Sequence, residues 1–94
     1  MEIEKSSPAF IKIKPGRVAK IHCSAYGNGR NISGKITRAG SAVHFHDEIT
    51  RSPNFISVKA FFKEEGTYLC TITNNKSGKQ VEAVTRVDIG KKFF

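Results

Sequence analysis

The sequence predicts an all-β sandwich, and three observations carry that prediction. Apolar residues recur mostly at every second position, the period of a strand with one buried face, while the helical period is hard to find. Turn residues punctuate the chain at short intervals: Pro15-Gly16, the stretch YGNGRN from Tyr26 to Asn31, Ala39-Gly40, and NNKSG from Asn74 to Gly78. At 94 residues the chain is long enough for one core and too short for two. Seven or eight short strands in one domain of that size stack as two sheets.

Each element follows from its own pattern. In FIKIK, Phe10 to Lys14, Ile11 and Ile13 face inward and send Lys12 and Lys14 outward. Pro15 presets φ and Gly16 tolerates a positive φ, so the strand ends in a turn there. Ala19, Ile21, Cys23 and Ala25 share the buried face of the next strand, with Lys20, His22 and Ser24 on its outer face. Tyr26 to Asn31 reads as a loop, and Ile32, Gly34 and Ile36 line one face of a third strand. Val43 and Phe45 suggest a short edge strand, followed by a polar connection from His46 to Asn54. Ile56, Val58 and Phe61 mark a strand running into a corner at Lys63-Glu64-Glu65-Gly66. Tyr68, Cys70 and Ile72 again share a face, the NNKSG hairpin follows, and Val81, Ala83, Thr85, Val87 and Ile89 alternate on the return. The expected organisation is an extension over 1–5, the folded domain over 6–90 and a linker remnant over 91–94.

Composition narrows the function classes. Hydrophobic residues at 38% and charged residues at 26% argue against a disordered chain. No stretch approaches the roughly 20 apolar residues a membrane span needs. The start, MEIEKSSPAF, has neither the basic nor the apolar region of a secretory signal. The chain reads as a module of a longer parent, so export of that parent stays open. Sixteen basic against eight acidic residues give a net charge of +8, which favours polyanionic or acidic partners. The basic residues are scattered, with neither a basic helix nor an RNP-like motif, and nucleic acid is the weakest candidate among polyanions.

Cys23 and Cys70 are the two cysteines, and no CxxC spacing points to zinc or to a redox dithiol. They form either one disulfide or two buried thiols facing each other across the core.

The segment Glu64-Glu65-Gly66-Thr67-Tyr68-Leu69-Cys70 resembles the immunoglobulin-superfamily signature of an acid, a glycine, a tyrosine and a cysteine entering strand F. The resemblance covers essentially the whole chain and implies a two-sheet sandwich in which Cys70 meets Cys23 of strand B. It implies that Gly66 permits a tight corner and that Tyr68 returns its hydroxyl to backbone just upstream. The short spacing between the cysteines leaves no room for the extra strands of an antibody variable domain, and the chain looks like an intermediate-set (I-set) domain. Two features depart from that pattern. The chain has no tryptophan, so Ile36, or alternatively Gly34, takes the place of the bulky strand-C residue on the cysteine pair. The corner acid is Glu64 counted back from Tyr68 and Glu65 counted forward from Phe61.

His44 and His46 share one face of a short strand, with Asp47 and Glu48 after them, but a polar outer face explains them better than a metal site. Gly27-Asn28-Gly29 is too short to cradle phosphate and no helix follows it. The neighbouring acids Asp47-Glu48 and Glu64-Glu65 diverge and cannot flank one substrate bond. The sequence therefore predicts neither an enzyme nor a cofactor. Asn31-Ile32-Ser33 and Asn75-Lys76-Ser77 fit the N-glycosylation pattern. Lys12, Lys14, Lys35 and Arg86 are expected on one outer face, where they could meet a heparan-type polyanion or simply be solvated.

The expected function is a non-enzymatic interaction and spacer module of an extracellular cell-surface or matrix protein, with the cysteines oxidised. Its partners are another protein or neighbouring immunoglobulin domains, with heparan sulfate second, and no nucleic acid or membrane insertion. The alternative is a structural domain of an intracellular muscle or cytoskeletal protein, in which the same cysteines stay reduced.

Overall fold

The structure, a computed structural model, describes residues 3–27, 31–39 and 48–90. Among these, eight strands form: β1 (Ile3–Ser6), β2 (Phe10–Ile13), β3 (Ala19–Tyr26), β4 (Ile32–Arg38), β5 (Glu48–Ser52), β6 (Phe55–Phe62), β7 (Gly66–Asn74) and β8 (Gln80–Ile89). Sheet I has the order β1-β3-β6-β5 and sheet II the order β2-β8-β7-β4. All pairings are antiparallel except β2 with β8, which is parallel. This is an immunoglobulin-like sandwich, with β1, β3, β6 and β5 standing as strands A, B, E and D, and β4, β7 and β8 as C, F and G.

The chain changes sheets at Ser7-Pro8, where backbone groups leave both ladders. Ser7 is 6% exposed and compensates with three bonds. Its N–H donates to the His22 carbonyl at 2.9 Å, its hydroxyl donates to the Lys20 carbonyl at 3.3 Å, and that hydroxyl accepts the His22 N–H at 2.9 Å. Pro8 has no N–H to leave unpaired, and β2 then begins as the Ala9 carbonyl accepts from Arg86 N–H.

The core is the meeting of the two inner faces. Ala19, Ile21, Cys23 and Ala25 of β3 and Ile56, Val58, Ala60 and Phe62 of β6 face Ile32 and Ile36 of β4 and Tyr68, Cys70 and Ile72 of β7. Ile11 and Ile13 lie half-buried at the margin, with Lys12 and Lys14 outward, as the alternation requires. Gly16 has φ +82°, and Arg17 N–H donates to the Lys14 carbonyl at 3.0 Å, which makes Lys14 to Arg17 a turn with proline second and glycine third.

Four expectations need correction. Residues 3–5 are not an extension: they lie in β1, with Ile3 opposite Ala25 and a bulge before Lys5. The polar connection contains β5, paired with β6 from Glu48↔Lys59 to Ser52↔Phe55. Phe61 is exposed, because the inward phase of β6 falls on Ala60 and Phe62. Tyr26 ends β3 rather than opening a loop, and its ring lies 5.5 Å from that of Phe55. The edge strand expected at Val43 and Phe45 lies outside the described residues.

Candidate functional site

The corner before β7 fixes one pole. Tyr68 is buried, its ring stacks on Phe62 at 4.1 Å between centroids, and its hydroxyl donates to the Glu64 carbonyl at 2.8 Å. Burial raises the phenol pKa above its ordinary value, with Arg38 opposing that rise and Glu64 adding to it. The hydroxyl thus stays a donor. Tyr68→Phe is expected to lower stability by about 1–2 kcal/mol in chemical denaturation, since the ring stays and only the hydrogen bond goes. An unchanged midpoint would remove the hydroxyl from the account of the corner.

Both acids are used, for different bonds. Glu64 pairs with Arg38 at 2.8 Å, whereas Glu65 accepts the Ile89 N–H at 2.9 Å and ties the corner to the end of β8. Arg38 also donates to the Glu65 carbonyl. The sequence reading missed Arg38. The role expected of Gly66 is likewise corrected. Its backbone has no positive φ, but a Cβ there would sit 2.7 Å from Arg38 Nε, so Gly66 makes room for the guanidinium.

Cys23 and Cys70 form a disulfide between β3 and β7, with Cα atoms 6.2 Å apart. Ile36 is fully buried and lies opposite Cys70 in the β4–β7 ladder. Gly34 cannot take the tryptophan's role, because even a Cβ there would lie 2.3 Å from Val58 Cγ2.

The outer face of sheet II carries the four expected basic residues. Lys12 and Arg86 project from β2 and β8, Lys35 from β4, and Lys14 follows the end of β2. The same face carries Glu82, opposite Thr71, and Asp88, opposite Lys12 and bonded to Arg86 at 3.0 Å. Between them are Phe10 (73% exposed), Val84 (51% exposed) and Leu69, which is opposite Val84. The face is mixed in charge with apolar residues at its middle.

The outer face of sheet I holds a cluster that sequence reading did not assemble. His22 of β3, Lys59 of β6 and Glu48 of β5 stand in one row, with Glu48 bonded to Lys59 at 3.0 Å. Lys20, Ser57 and Thr50 complete the lining of a shallow hollow of about 170 Å³. Burial, then Lys20 and Lys5, lower the His22 pKa below its ordinary value. The folded chain therefore binds fewer protons at His22 than the unfolded chain. This contribution to stability is complete above the unfolded-chain pKa of about 6.5 and is lost as pH falls through that value toward the lower folded one. Urea midpoints are expected to fall between pH 7.5 and 5.5, and less steeply in His22→Gln. Equal slopes in the two proteins would exclude His22 as the cause.

The two glycosylation sequons meet at one place. Asn75 N–H donates to the Asn31 carbonyl at 2.6 Å, and Ser33 Oγ donates to Asn75 Oδ1 at 3.2 Å. In the NNKSG hairpin neither Asn74 nor Asn75 has a positive φ, and only Gly78 does, at +77°. Asn74 shapes the turn instead with its side chain, whose Oδ1 accepts the Lys76 and Ser77 N–H groups at 3.0 and 3.1 Å. His44, His46 and Asp47 lie outside the described residues. Among the described residues no group of three or more His, Cys, Asp and Glu could hold a metal ion.

No protein-family model matches the sequence, and no curated protein matches it. Solved structures do resemble the fold. A chain from work on the structural basis of T cell specificity and activation by the bacterial superantigen toxic shock syndrome toxin-1 superposes with a TM-score of 0.57 at 13% identity, covering 90% of this chain and 96% of that one. The Lin-41 filamin domain superposes with a TM-score of 0.56 at 13% identity, covering 89% of each chain. At that identity the likeness is one of fold, a β-sandwich.

Proposed function

We propose that the chain is an I-set-type interaction and spacer module of an extracellular cell-surface or matrix protein. The observation that carries this is the direction of the chain through the sandwich. It enters at Ile3, beside Ala25 at the pole where β3 ends, and leaves at Ile89 and Gly90, beside Ile13 and Glu65 at the opposite pole. Entry and exit at opposite poles suit domains strung head to tail, each leaving its sheet faces open. The disulfide fits an oxidising compartment. The reading takes the outer face of sheet II as the protein-binding surface, with Phe10, Val84 and Leu69 as its apolar middle and Lys12, Lys35 and Arg86 at its rim. The carboxylates of Glu82 and Asp88 weigh against a polyanion on that face.

Thiol titration of protein taken from its native source tests the compartment. Two blocked cysteines are expected, whereas two free thiols would favour the structural domain of an intracellular muscle or cytoskeletal protein. For the surface, Phe10→Asp with Val84→Asp should abolish binding to a panel of extracellular domains without changing the unfolding midpoint. Retained binding would move the contact elsewhere.

A further inference from the structure

We propose that the hollow on the outer face of sheet I, bounded by Lys20, His22 and Lys59, binds a sulfate group of a sulfated polysaccharide. The choice of polymer rests on the extracellular reading; the hollow itself does not.

Cations on adjacent strands converge here. Lys20 and His22 come from β3 and Lys59 from β6, while Lys5 of β1 lies opposite Ser24, next along β3 from His22. Among the described residues the one carboxylate lining the hollow, Glu48, is bonded to Lys59. Ser57 and Thr50 add hydroxyl donors. A hollow of about 170 Å³ is of a size for one tetrahedral oxyanion with its water, and its lining groups other than Glu48 carry donors that suit its oxygens.

Its surroundings favour a sugar chain. Along β3 the face runs from Tyr26, past the hollow, to Lys20, about 20 Å at the rise of a strand. Tyr26, paired with Phe55, stands at one end, and Phe61, opposite Lys20, at the other. Both rings belong to exposed residues, and Lys59 Nζ lies 5.8 Å from the Phe61 ring centroid, so apolar ring surface for the C–H faces of sugars adjoins the cations that would hold the oxyanion.

The site responds to pH through His22. The charged groups facing it are Lys20 on its own strand, Lys5 on β1, Lys59 on β6 and Glu48 on β5. An imidazole is the side chain whose ordinary pKa lies within reach of this range, so His22 is the member that gains charge on acidification. A bound sulfate stabilises that proton, and binding strengthens on acidification.

The test uses the whole chain with a heparin oligosaccharide, and a single-stranded DNA oligonucleotide of equal charge and anionic phospholipid vesicles as comparison arms. Lys20→Gln with Lys59→Gln should weaken oligosaccharide binding by about tenfold or more, two charge-assisted contacts being lost. Lys12→Gln with Lys14→Gln, the same change in net charge, should weaken it by less than about twofold, as long-range screening allows. The wild-type protein should bind more tightly at pH 5.5 than at 7.5, and His22→Gln should lose that gain. An NMR titration should show the His22 pKa rising when the oligosaccharide is added. Equal losses from the two double variants, equal or tighter binding of DNA or vesicles, or an unmoved His22 pKa would each overturn the proposal. Should the Lys20/Lys59 variant unfold, the His22 arms still decide. The thiol titration tests the compartment separately, so the two readings can fail independently.

Discussion

Reducing the Cys23–Cys70 bond, or replacing both cysteines by alanine, is expected to lower the unfolding free energy by about 4 kcal/mol. The bond closes a loop with a sequence separation of 47, for which chain-entropy arguments give roughly that value. A domain of this size has only about 5–15 kcal/mol in total, so the loss removes a large share of it. Most of the effect lies in the unfolded chain, which the bond keeps compact. The urea m-value should therefore rise on reduction, because the unfolded state exposes more surface. Both cysteines are fully or almost fully buried, so reduction should be slow in the folded protein and accelerate once the sandwich opens. Alanine substitution also empties the space of two sulfur atoms, and the double variant should be slightly less stable than the reduced wild type. A midpoint shift worth less than about 1 kcal/mol would mean that the unfolded chain is already held compact by other contacts.

What the sequence made legible is the part of the fold that alternation writes into single strands. β3, β7 and β8 each have at least three inward apolar or cysteine positions in phase, so their buried faces can be read directly. β1 and β5 cannot be read this way. Each offers one inward isoleucine, Ile3 or Ile49, and each exists because a neighbouring strand presents a free ladder of backbone groups. Phe61 misled because β6 carries two adjacent aromatics, and the nearer to the corner, Phe62, is the one that packs on Tyr68. The functional surfaces were less legible still. Lys12 and Lys14 can be placed from their own strand, but that Asp88 stands opposite Lys12 is a matter of register between strands distant in sequence. The His22–Lys59–Glu48 row is of the same kind, since three strands must align before those side chains become neighbours. Arg38 escaped notice because its partner Glu64 lies 26 residues away.

Ile36→Ala is expected to cost about 2–5 kcal/mol, the range for removing a fully buried branched side chain whose surroundings only partly collapse. A tryptophan-free core makes the upper half of that range the expectation. Ile36 stands opposite Cys70 and is 0% exposed. Two positions along the same face, Gly34 offers no side chain that could shift into the space. Nor can Gly34 be filled to compensate. Its missing Cβ would lie 2.3 Å from Val58 Cγ2 of the opposite sheet, so Gly34→Ala should itself cost about 1–3 kcal/mol through overpacking. The two defects have opposite causes and can be told apart. Val58→Ala should recover part of the loss in the Gly34→Ala background, because it removes the methyl that clashes, and should deepen the loss in the Ile36→Ala background, because it enlarges a void. Urea denaturation of the three single and two double variants gives both coupling energies. The opposite pattern of signs would mean that the sheets shift relative to each other, and that the close approach of Gly34 to Val58 does not set their spacing.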